Sequence, residues 1–289
     1  RKIAGLVTTP AELKRAHAEK WDIVLTTYQR FIREETGVAQ LNAYVRGQFG
    51  AAIVDEAHRG NASSYAAVLN KIDAKYKVAL TATRERKDRL EFIMDQILGP
   101  VRAEANSVGM TPIVTVHETN FTMDYEPRGM TAYTKITRAM SEDGPRNSFI
   151  VKAIFEDLRA NPKHCIVVPV LYVEHAHRLA ALVNRYGQYL RDTTGEQWGI
   201  NLALPYHRNT NKDAVLKAAR EGKETRVIIG IRSKVTEGID VLPWTHMILQ
   251  FPMNNFANFY QLTNRILTPY PGKPQPRLRI IVDRVGLSI

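Results

Sequence analysis

The chain has 289 residues, 44% of them hydrophobic and 24% charged, a composition typical of globular proteins and a length that suits two medium domains. Its 40 lysines and arginines exceed its 29 aspartates and glutamates, and the net charge of +11 favours a nucleic-acid partner, with general solubility as the alternative. The apolar runs are short and interrupted by charge, which excludes a membrane span. The single cysteine, Cys165, excludes an internal disulfide and a cysteine-based zinc site and favours a cytoplasmic protein.

Strand-like runs alternate with helical patterns, which predicts a parallel α/β architecture. In the first block we predict strands at residues 21–25, 51–54 and 77–80, and helices at 63–72 and 84–98. Residues 106–145 contain a strand-like run at 113–117 and turn signals, and we interpret them as an inter-domain connection with an insertion. A second alternating block follows, with strands predicted at 165–170, 200–204, 227–231, 247–249 and 280–282, and helices at 147–160, 174–185, 212–221 and 256–266. The predicted domains are therefore 1–105 and 146–289.

An acidic motif follows the strand at 51–54, where Asp55, Glu56 and His58 stand at the strand's carboxyl end. Ligands of open α/β sheets bind at that end. A first carboxylate there can hold Mg²⁺ through water, and a second can orient or deprotonate an attacking water. These are the roles of the two carboxylates in a Walker B site for nucleoside triphosphate hydrolysis. A solvated acidic loop is the alternative.

Hydroxyl residues end the next predicted strand, where Thr81 and Thr83 follow Leu80. Such residues can hydrogen-bond the neighbouring acidic loop and transmit nucleotide state to a nucleic-acid site, although a capped turn before a helix has the same composition. In the second block, Thr236, Gly238 and Asp240 follow the strand at 227–231 in a predicted loop. There glycine permits a close backbone approach, and threonine can bond a phosphate.

A further motif, with Gln261 and Arg265, lies on the helix predicted at 256–266. An arginine there can stabilise the charge that develops on a transferred phosphoryl group, and a solvated surface arginine is the alternative. The motifs in this order resemble those of the superfamily-two helicases and translocases. Within them the chain is most similar to the DEAH-bearing branch that includes type III restriction subunits and phage recombination helicases, particularly over residues 265–273 and 281–283.

The resemblance implies two RecA-like parallel-sheet domains that bind ATP, Mg²⁺ and nucleic acid, with DNA expected, in a bacterial or phage-infected cell. It implies an ATP-dependent DNA helicase or translocase with no membrane partner. The catalytic positions that it implies are Asp55, which also holds Mg²⁺ through water, Glu56 and Arg265. The implied nucleotide-binding positions are His58, Thr81, Thr83, Gly238, Asp240 and Gln261. The implied nucleic-acid-binding positions are Thr26, Thr27 and Thr236.

The sequence departs from the family pattern in two places. No Gly-x-x-x-x-Gly-Lys-Ser/Thr loop precedes Asp55, and a chain without this Walker A loop has little means of gripping phosphates. We expect a missing N-terminal segment or a separate chain to supply the loop, so that the first domain is N-terminally incomplete and inactive alone. In the final motif Asn264 replaces the usual glycine and Thr268 the second arginine. These departures favour an alternative, a catalytically inactive helicase-like module that binds nucleic acid or a partner protein.

Overall fold

The computed structural model describes residues 4–27, 50–55, 72, 74–81, 96, 98–104, 109–123, 127–236, 244–253 and 255–283. Backbone contacts divide the chain into two compact units, Arg1–Asn106 and Ser107–Ile289. Each unit has its own apolar core. None of the helices in the described ranges combines the length and the apolar character that a membrane crossing requires.

The first unit begins with a β-α-β segment. Its second strand lies within the first strand predicted from sequence, residues 21–25. Strand β1 (Ala4–Leu6) pairs in parallel with β2 (Ile23–Leu25), and helix α1 (Pro10–Ala18) connects them. Helix α1 begins at a capping box: the Thr9 hydroxyl accepts the Glu12 backbone N–H at 3.2 Å, and the Glu12 carboxylate accepts the Thr9 N–H at 3.0 Å. These bonds satisfy backbone donors that have no partner within the helix.

A small apolar core holds this segment together. Leu13 and Ala16 of α1 pack with Val7 and Trp21. Gly5 in β1 lies against the Trp21 ring, so a β-carbon at this position would collide with it.

Strands β3 (Ala51–Val54) and β4 (Tyr76–Ala79) form a second parallel pair in the first unit, in which Val54 is in register with Ala79. The prediction of a strand at 51–54 is therefore confirmed, and the strand predicted at 77–80 is shifted by one residue. The helices predicted at 63–72 and 84–98 fall mainly outside the described residues.

The second unit is built on a six-stranded parallel sheet with the strand order β5-β10-β9-β6-β8-β7. Its strands are β5 (Ile113–Thr119), β6 (Ile166–Val170), β7 (Ala203–Tyr206), β8 (Val227–Ile231), β9 (His246–Leu249) and β10 (Arg277–Asp283). Its helices are α2 (Ala132–Glu142), α3 (Gly144–Ala160), α4 (Val173–Thr194), α5 (Lys212–Glu221), α6 (Arg232–Thr236) and α7 (Phe256–Thr263), and a 3-10 helix (Asn264–Ile266) follows α7. The prediction of a parallel α/β fold is confirmed.

Strand β5 pairs along its whole length with β10, from Ile113 beside Arg277 to Thr119 beside Asp283. The segment 106–145, interpreted from sequence as a connection with an insertion, thus supplies an edge strand and helix α2 to the second unit. Sequence patterns do not reveal such a pairing because the partner strand is distant in the chain.

The sheet of the second unit is covered on both faces, as parallel sheets usually are. Residues of α3 and α4 pack on one face with alternate residues of β6 such as Ile166 and Val168, and residues of α5, α6 and α7 pack on the other with Cys165 and Val167. Burial raises the pKa of the Cys165 thiol to about 12, so little of it is present as the reactive thiolate.

The connections from β6 and β9, which are neighbours in the sheet, leave towards opposite faces. Strand β6 continues into α4 on one face, and β9 continues into α7 on the other. Such a reversal opens a crevice at the carboxyl ends of the strands, which is where open α/β sheets bind ligands.

Candidate nucleotide and nucleic-acid site

Two predicted site residues of the first unit, Asp55 and Thr81, follow adjacent strands at the same edge. Asp55 comes directly after β3, and Thr81 comes two residues after β4. The register continues beyond the strands, because the Leu80 N–H donates to the Val54 carbonyl at 2.8 Å. Both Asp55 and Thr81 are exposed. A carboxylate and a hydroxyl on neighbouring strand ends supply oxygen ligands of the kind that hydrated Mg²⁺ prefers.

The other nucleotide-site predictions of the first unit, Glu56, His58 and Thr83, lie outside the described residues. Thr26 and Thr27 are described, and both are exposed at the carboxyl end of β2. Their position suits contact with a nucleic-acid backbone, and that role stays a prediction.

In the second unit, Thr236 lies at the end of the short helix α6 rather than in the predicted loop. Its hydroxyl donates to the Arg232 carbonyl at 2.8 Å, one helical turn back. A threonine that bonds the preceding turn in this way satisfies its hydroxyl within the helix. The hydroxyl that the sequence predicts to bond a phosphate is therefore engaged in the structure.

The structure brings Arg265 and Thr236 together. Arg265 lies in the 3-10 helix after α7, and its guanidinium Nη2 donates to the Thr236 carbonyl. Gln261 is on α7 and is buried. Gly238 and Asp240 lie outside the described residues. The catalytic and nucleotide-binding roles of these positions stay predictions.

The Lys273 side chain lies beside Thr268, the position at which superfamily-two helicases have their second arginine. The Lys273 ammonium donates to the Thr268 carbonyl at 2.7 Å and lies 5.1 Å from the centroid of the Tyr270 ring. Asn264, which replaces the family's glycine, begins the 3-10 helix and accepts the Leu267 N–H at 3.0 Å. Sequence reasoning did not identify Lys273, because a turn brings it back to Thr268 from outside the motif.

A buried polar network joins the carboxyl ends of three strands. The Arg146 guanidinium donates from Nε to the Asp283 carboxylate at 2.9 Å and from Nη1 to the Gln250 side-chain carbonyl at 2.8 Å. The Gln250 amide in turn donates to the Pro169 carbonyl at 3.2 Å. These bonds tie together β10, β9 and β6 and so hold the two sides of the crevice. Sequence reasoning missed this network.

Two histidines near the start of α4 have different surroundings. His175 is buried, its Nε2 is 2.8 Å from the Asn147 side-chain oxygen, and burial together with the nearby Arg146 and Arg178 charges lowers its pKa to about 4. His177 is exposed, and its Nε2 is 2.9 Å from the Nε2 of His207. Within the described ranges, no group of three or more His, Cys, Asp or Glu residues could hold a metal ion.

The carboxyl edge of the second sheet carries basic and aromatic side chains. Arg208 follows β7 and is exposed, and Arg232 and Lys234 follow β8 on α6. The Tyr133 hydroxyl, from α2, donates to the Pro252 carbonyl at 3.1 Å in the segment between β9 and α7. Because the strands are parallel, all these residues lie at one edge of the sheet, and the positive charge there suits an anionic ligand.

Residues 3–86, in the first unit, match the family model of the type III restriction enzyme, res subunit. The match includes β1 to β4 together with Asp55 and Thr81. No curated protein shows significant sequence similarity to the chain.

Solved structures share the fold. A fragment assigned as an HsdR subunit of a type I restriction enzyme from Vibrio vulnificus YJ016 is 15% identical with a TM-score of 0.64, over 99% of this chain and 53% of that one. The type ISP restriction-modification enzyme LlaBIII bound to DNA is 14% identical with a TM-score of 0.63, over 98% and 22%. Mycobacterium smegmatis helicase Lhr bound to ssDNA and AMP-PNP is 16% identical with a TM-score of 0.56, over 97% and 35%.

The chain thus spans about half of the first of these proteins and less of the other two. At these identities the likeness establishes the fold, and the family model adds a sequence match over residues 3–86. The chain therefore shares the α/β fold of these helicase and restriction-enzyme structures, and residues 3–86 match the res-subunit family model.

Proposed function

We propose that the chain forms part of the motor of an ATP-dependent DNA helicase or translocase. The observation that carries the proposal is the placement of Asp55 and Thr81 on neighbouring strand ends within residues 3–86, the range that matches the res subunit. The contact of Arg265 with Thr236 supports it, because it joins two motifs of the second unit.

In the proposed reaction, the exposed Asp55 carboxylate would hold a hydrated Mg²⁺. Glu56 would orient the water that attacks the γ-phosphorus and accept its proton, while the bond between that phosphorus and the bridging oxygen breaks and ADP leaves. When bound, Mg²⁺ would neutralise negative charge on the phosphate oxygens. Arg265 contributes positive charge to the transferred phosphoryl group while its guanidinium is oriented by the Thr236 carbonyl.

We propose that this motor binds nucleic acid and moves along it. Thr26 and Thr27 are exposed at a strand end, and Arg208, Arg232 and Lys234 supply positive charge at the carboxyl edge of the second sheet. Such groups contact phosphates and do not read sequence. DNA is preferred to RNA because the neighbours LlaBIII and Lhr are bound to DNA and ssDNA, and ATP is the proposed nucleotide because Lhr is bound to AMP-PNP.

Hydrolysis also requires a phosphate-cradling loop, and residues 1–289 contain no Walker A motif. In this proposal a further segment or a separate chain supplies that loop.

A second candidate function is an inactive helicase-like module that binds nucleic acid or a partner protein. The observation that favours it is Thr268 in place of the second arginine, since a threonine does not supply the positive charge that an arginine brings to the γ-phosphate.

The experiment that separates the two is DNA-stimulated ATP hydrolysis by the longest protein that the gene encodes. We expect turnover in the wild type and at least about a hundredfold loss in Asp55→Asn and Glu56→Gln, with nucleotide binding retained in Glu56→Gln. Asp192→Asn, an exposed carboxylate on α4, is the matched control. Turnover like that of the wild type in Glu56→Gln rules out its assigned role, and DNA binding without any hydrolysis favours the inactive module.

A further inference from the structure

An aromatic pair stands exposed on α7. The Phe256 side chain is 70% exposed and Tyr260 is 38% exposed. Their rings are nearly parallel, with an interplanar angle of 21° and centroids 6.1 Å apart. An isolated exposed aromatic is common on protein surfaces, but two stacked rings form a continuous apolar surface.

The pair is exposed because of the way α7 packs. Phe256 and Tyr260 are four residues apart and therefore lie on the same side of the helix. The core contacts of α7 are made by Leu262, which is buried, and by Phe259, which is partly buried. Asn255 caps the helix, accepting the Asn258 N–H at 3.1 Å, so Phe256 is the first residue of the helix. Packing thus holds the pair outward, and the Phe256 ring contributes little to the core.

Basic side chains lie on the helix that packs against α7 and at the same edge of the sheet. Helix α6, which carries Arg232 and Lys234, packs against α7. Arg208 at the end of β7 lies at the same edge of the sheet. Aromatic planes next to a basic surface are the combination by which proteins hold single-stranded nucleic acid, through base stacking and phosphate contacts respectively.

We infer that Phe256 and Tyr260 form a stacking platform for the bases of a single-stranded nucleic acid whose phosphates run along Arg232 and Lys234. The inference rests on the proposed function and adds to it a base contact. The centroid separation of 6.1 Å is less than two stacking distances of about 3.4 Å. A base therefore stacks on the outer face of the pair and does not insert between the rings.

The chain contains a second aromatic pair that serves as an internal control. Tyr186 and Tyr189 on α4 are stacked with centroids 6.0 Å apart, and Tyr189 is 56% exposed. Tyr189 is 16 residues beyond Val173, the start of α4, which places it about 24 Å from the carboxyl edge of the sheet. It shares the exposure and ring geometry of the proposed platform but not its location.

The experiment uses the longest protein that the gene encodes. It measures the affinity of this protein for two strands of equal length and charge, oligo-dT and an abasic phosphodiester. We expect wild type to bind oligo-dT about tenfold more tightly than the abasic strand. Phe256→Ala is expected to abolish this preference and leave affinity for the abasic strand unchanged. Tyr189→Ala retains the preference. Phe256→Trp retains it too, and its added indole fluorescence is quenched by oligo-dT and not by the abasic strand.

The other outcomes separate the inference from the proposed function. Equal affinity of wild type for both strands, unchanged in Phe256→Ala, overturns the platform and leaves the proposed function intact. Absence of binding to either strand contradicts the proposed function itself. A loss in Phe256→Ala of affinity for AMP-PNP alone, with strand binding unchanged, overturns the inference and assigns the platform to the nucleotide base.

Discussion

Arg146 and Asp283 form a buried ion pair between the start of α3 and the end of β10. The Nε to Oδ1 distance is 2.9 Å, and the two side chains are 0% and 8% exposed. The same Asp283 oxygen accepts the Thr119 hydroxyl of β5, and Arg146 also donates to Gln250 after β9. The pair therefore joins the edge strand of the second sheet to its interior.

We expect Asp283→Asn to destabilise the second unit by about 3–5 kcal/mol, because it leaves the Arg146 charge buried and uncompensated. Arg146→Lys is expected to be destabilising as well, since one ammonium cannot reproduce the guanidinium contacts with Asp283 and Gln250. Urea denaturation measures both. Glu196→Gln, in the partly exposed pair with Arg159 at 2.9 Å, is the control and is expected to be much less destabilising. Equal effects in the two pairs would refute the structural importance of the buried one.

The Arg265 contact with Thr236 predicts that a lysine cannot replace the arginine. Arg265→Ala and Arg265→Lys are expected to lower DNA-stimulated ATP turnover by about a thousandfold, because an ammonium cannot bond the Thr236 carbonyl and a phosphate in the same arrangement. The contact also contributes about 1 kcal/mol to stability. Turnover and urea denaturation are measured on the same preparations. A loss of stability with full turnover would show that Arg265 is structural only.

The basic carboxyl edge predicts DNA binding that weakens steeply with salt. For single strands, log K falls with log salt by about 0.7 per contacted phosphate. We expect Arg232→Ala to reduce this slope by about that amount. Lys217→Ala is the control, because Lys217 is 78% exposed on α5 and pairs with Glu221. Fluorescence anisotropy titrations from about 50 to 200 mM salt measure the slope, and a flat response would argue against phosphate contacts.

Three buried histidines of the second unit predict a loss of stability in mild acid. Burial lowers the pKa of His164 and His175 to about 4 and that of His246 to about 3. The ordinary histidine pKa is about 6.5, so between about pH 6.5 and 4 the unfolded chain binds more protons than the folded one. Stability is therefore full above pH 6.5 and falls as pH decreases through this window, by at most about 1.4 kcal/mol per pH unit for each histidine.

Asp157 acts against this trend. Its Oδ2 is 3.1 Å from His246 Nε2, and burial raises its pKa even though Arg279 opposes the shift. A carboxyl with a raised pKa gains protons in the folded state first, which favours the folded state in acid. Urea denaturation at pH 7.5 and 5.0 measures the net slope. His175→Gln retains an N–H donor for Asn147 and is expected to flatten the slope, and an unchanged slope in this variant would contradict a buried neutral His175.

The motif positions could be predicted from sequence because strand ends are local features. The β-branched run at Val227–Ile231 and the apolar run at Ala51–Val54 are strands as predicted, and the polar residues that follow them stand at carboxyl ends. Helix α1 was not predicted, although Thr9 and Glu12 form a capping box and Pro10 stands in the first turn, which are sequence signals for the start of a helix. The segment at 234–236 was predicted as a loop and is helical, because its apolar residue Val235 is buried in the core.

The sequence by itself determined the parallel α/β class and the order of the motifs, because hydrophobic periodicity and turn residues act over a few positions. Only the tertiary structure decided that β5 is the neighbour of β10, that Arg146 meets Asp283, and that Phe256 is exposed on a helix that packs against α6. Those relationships join residues far apart in the chain or depend on which side of an element is buried. They arise from packing of whole elements, which no local pattern encodes.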